Sequence, residues 1–515
     1  MSRSFTWVVA AALAAASTAS AAPYYSVSPG PRAVQLIPPP TTPSEVSPFI
    51  YLNRCTGGCT ITGSLTQNSA RDNISSIPGS TGTFTLGEYA AGTGQCSLTT
   101  TMTCTGPGQC PGTETCNQTG TFADAEWAQL VKCVQEVYSP FAITVSDSKP
   151  PGGQTYTESL TGGNPSDVNL PDGILGVSPS ACQPVDNLPV LAFANHHGLE
   201  DRVNNICWTV AQETAHAFGL DHEYSFISAY PANGNSACMD PMTYRVDCGG
   251  QKFFRNAVAN DGRYSTTDYS CSFAQQNSHT QLLNVLGPGT PITSPPTVAV
   301  TFPAAGLTSA PAEVVATAAS QRGVFNVDLY LNGFMWGTVP GAAFGNLGQP
   351  ESQYTIQWPH GVPNGVIDIV AKAYDDLGTE TDSAPVTITV GQPCMDAATD
   401  CAAGQTCSTG RCSWPPPSGQ LGDTCTYPQF CVSLECEGPA GAQTCTVDCD
   451  PRVMGGCDTG YDCVAASDTT GFCLKQEASG GCCSAARSGS NGDMWVPGGL
   501  GLLVLGLVFR KRKQR

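Results

Sequence analysis

Cysteine constrains this chain before any other residue type does. Its 515 residues carry 26 cysteines, a load that belongs to an oxidising compartment, because reducing compartments keep thiols free and chains poor in them. They fall into even blocks: twelve from Cys55 to Cys271, twelve from Cys394 to Cys473, and the adjacent pair Cys482-Cys483. Even blocks predict separately folded units, each closed by its own disulfides. Zinc clusters are the competing use of so many thiols, and the loose spacings here favour disulfides. The length suits about three or four domains. Gly and Pro, 56 and 40 residues, favour loop-rich units. A formal net charge of −19 leaves no basic surface to neutralise phosphates, so nucleic acid is not an expected partner.

Both ends agree with export. Arg3 precedes an apolar run from Trp7 to Ala16, then small residues to Ala22, which predicts a signal peptide over 1–22. Residues 23–47 are proline-rich, a linker or pro-segment. The expected organisation continues with an α+β unit over 48–289, a β-sandwich over 291–391, a small Cys-rich disulfide module over 394–473 and a tail over 480–515. In the first unit Trp127, Leu130, Val131 and Val134 recur at helical spacing within Phe122–Tyr138, and Asp124 is placed to cap or charge the first turn. Phe141–Asp147 and Pro189–Asn195 read as strands. Short β-rich runs from Val298 to Val390, broken by turns such as Asn332-Gly333, resemble bacterial immunoglobulin-like modules. That sandwich reads as a spacer or binding arm. In the Cys-rich module Cys401-x-x-Gly404-x-x-Cys407 and Gly410-x-Cys412 echo Cys457-x-x-Gly460-x-x-Cys463 and Gly471-x-Cys473.

The tail joins Cys482-Cys483 to a single hydrophobic segment, residues 495–509, and a basic end, Arg510 to Arg515. A run of fifteen residues is short against the roughly 20 that a spanning helix needs. The arrangement resembles the C-terminal sorting tails of myxobacterial surface proteins, which implies a membrane partner and a cell-surface, outer-membrane or, after processing, extracellular location. An ordinary single-span anchor is the alternative.

One stretch carries chemistry. In Trp208–Glu223 a helix would set Gln212 and His216 four apart on one face, with Glu213 beside them. Gly219 supplies a residue that tolerates positive φ, where the helix can stop and the chain turn back. His222 then returns toward His216. Two imidazoles beside a carboxylate are the components of a hydrolytic zinc site.

The stretch resembles the HExxHxxGxxH pattern of the metzincin metalloproteases. Glu213, His216, Gly219 and His222 match four of its five defined positions, and Gln212 stands where the first histidine belongs. Asp240-Pro-Met-Thr-Tyr244 resembles the family's Met-turn. The resemblance implies a metzincin-like catalytic domain with zinc on His216, His222 and Gln212, Glu213 as general base, Met242 as a floor beneath the metal and Tyr244 as a hydrogen-bond donor to the oxyanion. Glutamine offers zinc only a neutral amide oxygen, a poorer donor than imidazole; His196 and His197 are other sources of a third ligand. A latency cysteine would fall on Cys55 or Cys59, which also read as a small disulfide loop. His279 and His360 read as structural or solvated.

The expected function is a secreted, surface-tethered zinc-dependent endopeptidase cleaving extracellular protein or peptide. The alternative is a catalytically dead metzincin-like scaffold used for adhesion or recognition. A third reading is an ordinary helix that happens to carry two histidines.

Overall fold

A computed structural model describes residues 46–179, 182–223, 240–243, 250–260, 271, 274–341, 352–438, 441–449, 451, 456–466 and 471–475. The signal peptide, nearly all of the 23–47 segment, Tyr244 and the whole 480–515 tail lie outside them. The protein is multidomain, β-rich and disulfide-rich, with few helices. Among the described residues no helix is long and apolar enough to cross a membrane.

The described residues divide into two compact units. One holds 46–358 and 363–413; the other holds 359–362 and the residues after 413. The α+β portion and the sandwich therefore share a unit. Eleven disulfides link the described cysteines. Cys55 bonds Cys59, so the small-loop reading holds and neither thiol is available as a latency ligand.

The α+β portion is organised on a five-stranded sheet. Its strands are β1 (Phe49–Asn53), β2 (Thr144–Ser146), β3 (Thr157–Thr161), β4 (Gly176–Val177) and β5 (Pro189–Ala192), in the order β4-β5-β3-β1-β2. All neighbours are parallel except β4, which runs antiparallel to β5 at one edge. Helix α1 (Asp124–Tyr138) and helix α2 (Arg202–Ala217) share a core with β1 and β5. Burial of Trp127, Leu130, Val134 and Tyr138 fixes the inner face of α1, and Cys133–Cys207 ties the two helices covalently. Asp124 does not cap α1; it charges the first turn and pairs with Arg54 at 2.7 Å. A third helix, α3 (Ser278–Leu286), opens on an Asn277 side-chain cap and adds Leu282 and Leu283 to the same core.

The sandwich portion has two antiparallel sheets. Strands β6 (Thr297–Phe302), β7 (Glu313–Ala319) and β10 (Ser352–Gln357) form one; β8 (Asn326–Leu331), β9 (Phe334–Pro340), β11 (Gly365–Tyr374), β12 (Glu380–Asp382) and β13 (Val386–Val390) form the other. Along β11 burial alternates residue by residue, hiding Ile367, Ile369, Ala371 and Ala373, as a strand with one buried face must. The Cys-rich region consists of three successive four-cysteine sets, each bonded first to third and second to fourth: Cys394–Cys407 with Cys401–Cys412, Cys425–Cys436 with Cys431–Cys445, and Cys449–Cys463 with Cys457–Cys473. The sequence reading had seen the first and third sets as a repeat within one module. The first set groups with the larger unit, where Arg411 pairs with Asp368 of β11 at 2.8 Å.

Candidate active site

Helix α2 is buried on every side from Ile206 to Ala217, so each polar side chain on it needs an internal partner. Thr214 meets the Tyr138 hydroxyl at 2.7 Å. Trp208 Nε1 and Gln212 Nε2, one turn apart, both donate to the Pro241 carbonyl at 2.7 and 2.8 Å. At the entrance Arg202 donates to Glu126, to the His197 carbonyl and to the Ala90 carbonyl. At the exit Phe218 closes the last turn and Gly219 takes φ +92°. A Cβ there would also approach the Pro184 ring to 3.1 Å.

The return brings His222 to His216. Their Nε2 atoms lie 3.2 Å apart with the rings at 74°. His216 Nδ1 sits 2.7 Å from the Leu220 carbonyl; a carbonyl can only accept, so Nδ1 carries a proton, and a neutral ring would then present a lone pair at Nε2. Gln276 brackets His222 on both sides: its amide oxygen accepts from Asp221 N, and its amide nitrogen donates to Asp221 O and to Glu223 Oε1. The Asp221 carboxylate accepts from His222 N and Cys271 N, and Cys271 is bonded to Cys182. Glu223 N donates to the Met242 carbonyl at 2.9 Å. Met242 is fully buried, in one core cluster with Ala215, Phe218 and Leu220.

Glu213 faces the edge strand. A Cβ on Gly176 of β4 would stand 2.7 Å from Glu213 Cγ and 2.9 Å from Oε1. Glycine alone lets that strand run so close to the carboxylate.

The donor set can be tested for zinc. Two imidazole nitrogens, each about 2.0–2.1 Å from a tetrahedral zinc, lie about 3.3 Å apart. The 3.2 Å between His216 and His222 fits two corners of such a site. Among the described residues no other His, Cys, Asp or Glu forms a trio with them. His196 Nε2 accepts from Gly173 N, and His197 Nε2 lies 3.3 Å from Thr209 Oγ1, so neither joins the pair. With its nitrogen on Pro241, Gln212 retains its amide oxygen as the atom it can offer a metal. The described cysteine clusters are disulfides and hold no thiolate for zinc.

Sequence reasoning missed Asp221, Gln276 and Gly176, and it placed Asp240 only as the first residue of the Met-turn stretch. Asp221 lies inside the motif at an undefined position. Gln276 and Gly176 are far from it in sequence and gave no signal.

No protein-family model matches the chain, and no curated protein matches it. Solved structures with some likeness include wild-type OgpA from Akkermansia muciniphila, at 12% identity over 53% of this chain and 90% of that one, TM-score 0.17. Catalytically inactive OgpA in complex with an O-glycopeptide substrate matches at 11% identity over 46% of this chain and 65% of that one, TM-score 0.14. The fibronectin(III)-like modules of Clostridium thermocellum CbhA match at 26% identity over 20% of this chain, TM-score 0.15, and the chain spans about half, 52%, of that structure. At these TM-scores the likeness carries no argument about activity.

Proposed function

We propose that residues 48–289 form a zinc-dependent endopeptidase of metzincin type, exported and acting on extracellular protein or peptide. One observation carries the reading: two imidazole Nε2 atoms converge at 3.2 Å, with the proton of His216 committed to a carbonyl on the far side of its ring. His216 and His222 would hold the metal, with the Gln212 amide oxygen as third donor. Zinc, when bound, acidifies a bound water and polarises the scissile carbonyl. Glu213, whose carboxylate lies beside the edge strand, would take a proton and return it to the leaving amine. Strand β4, one of the two outer strands of the sheet, offers backbone along which an extended substrate can pair. The resemblance assigns Tyr244, outside the described residues, to the oxyanion. Abundant disulfides favour an oxidising location, and surface tethering rests on the tail sequence alone.

Cleavage of a protein substrate by the purified chain, beside its Glu213→Ala variant, tests this. Activity in the parent, lost by at least about a hundredfold in the variant with zinc content unchanged, is the expected result. A folded parent with no stoichiometric zinc overturns it. The second reading, a dead scaffold that binds a partner, is favoured by the commitment of Gln212 Nε2 to Pro241, which gives that side chain a structural task independent of metal.

A further inference from the structure

We propose that the sandwich is a working part of the candidate active site, holding the Met242 turn in place through Arg322 and Asp376, rather than a spacer. The inference rests on the proposed zinc site for its meaning, though not for its test. The turn joining β7 to β8 carries Gln321 and Arg322 into the α+β portion. Gln321 Nε2 donates to Glu136 of α1 and to Gln251. Arg322, fully buried, forms a two-pronged pair with Asp376, Nε to Oδ1 at 2.7 Å and Nη2 to Oδ2 at 2.9 Å.

Arg255 completes the pair from the other side. It too is fully buried; its Nη1 donates to the Arg322 carbonyl and stands 3.3 Å from Asp376 Oδ2. The Arg255 backbone N–H donates in turn to Asp240 Oδ2 at 2.7 Å. Asp240 accepts also from Ser278 Oγ and, through Oδ1, from Met242 N at 2.9 Å. Pro241 then receives Trp208 and Gln212 of α2, and Met242 receives Glu223 beside His222. Every step from Asp376 to the histidine neighbourhood is thus a direct polar contact, and most are buried. A spacer would have no need to send a buried carboxylate to an arginine of its neighbour, where an unmatched charge is costly. Asp376 and Arg322 are positioning residues.

The test uses the whole secreted chain with Asp376→Asn. Asp368→Asn is the control, since it removes a sandwich ion pair, with Arg411, that shares no residue with this contact. Hydrogen exchange of the amides in 220–223 and 240–243 is followed by mass spectrometry, and cobalt(II) is titrated as a spectroscopic substitute for zinc. The expected result is faster exchange in both segments, an altered cobalt spectrum and a dissociation constant raised roughly ten- to hundredfold, with α1 still protected. Asp368→Asn leaves all three as in the parent, and Asp376→Glu partly restores them. Should Asp376→Asn not fold, the apolar triple variant Arg255→Met, Arg322→Met, Asp376→Leu, which removes every buried charge of the contact, takes its place with the same expectation. Parent-like exchange in both segments of a folded variant overturns the proposal. A parent that binds no cobalt sinks the zinc reading alone, because the exchange measurement needs no metal.

Discussion

At the scale of single residues, Gly176 and Gln212 are where the proposed chemistry can be tested most directly. Gly176→Ala forces a methyl against Thr209 Cγ2 at 2.6 Å and against the Glu213 side chain. A carboxylate displaced by about 1 Å costs on the order of a hundredfold in rate. We therefore expect kcat/KM to fall by about that factor while zinc content is retained, read by steady-state kinetics beside metal analysis. Gln212→His replaces an amide oxygen with a better zinc donor. It also strips one of two donors from the Pro241 carbonyl, the Trp208 indole remaining. The expected outcome is zinc affinity raised at least about tenfold, with the metal-free protein less stable by roughly 1 kcal/mol. Competition titration and chemical denaturation measure the two separately.

At the scale of elements, the return loop after α2 depends on its neighbours. Leu220 to Glu223 has no regular structure of its own and is held by Gln276, by the Met242 carbonyl and through Asp221 by Cys271. Cys182–Cys271 closes a loop across 89 positions and binds the segment before α2 to the segment after it. The chain-entropy account gives such a bridge up to about 4–5 kcal/mol. Replacing both cysteines with serine should lower stability by an amount approaching that figure. It should also accelerate amide exchange in 220–223 more than in α1, which remains tied by Cys133–Cys207.

For the whole molecule, two buried histidines tie stability to pH. Burial, with Arg202 nearby, pushes His197 down to about 4, and burial, with Arg322 nearby, pushes His279 down to about 4, against 6.5 for a free imidazole. Between these values the unfolded chain binds protons that the folded chain refuses. The stability these groups confer is therefore complete above pH about 6.5 and is lost as pH falls toward about 4. Each accounts for up to about 3 kcal/mol over that window. His279→Leu should flatten the dependence of the denaturation midpoint on pH across this range. An unchanged slope would mean that His279 binds its proton alike in the folded and unfolded chain. The residue lies on α3, with its ring against Phe141 and its pKa influenced by Arg322 and Asp376, so the sandwich contributes to this acid sensitivity too.

The sequence by itself determined the local features, because periodicity, turn chemistry and thiol count act over short spans. The inner face of α1, the stop at Gly219, the Cys55–Cys59 loop, the β-rich texture after residue 297 and the disulfide-rich character were all legible in this way. The helical spacing of Gln212, Glu213 and His216, and the turn that sends His222 back, were legible for the same reason. Tertiary structure decided what depends on contacts between distant segments. It gave Gly176 to Glu213, Gln276 to the His222 loop and the Gln212 amide nitrogen to Pro241. It also denied His196 and His197 a place beside His216 and His222. The sandwich reads from sequence as a spacer or binding arm, because no local pattern marks Arg322 and Asp376 as partners of Arg255. A buried ion pair has no periodicity, and its members, 67 and 54 positions apart along the chain, meet only once both portions have folded.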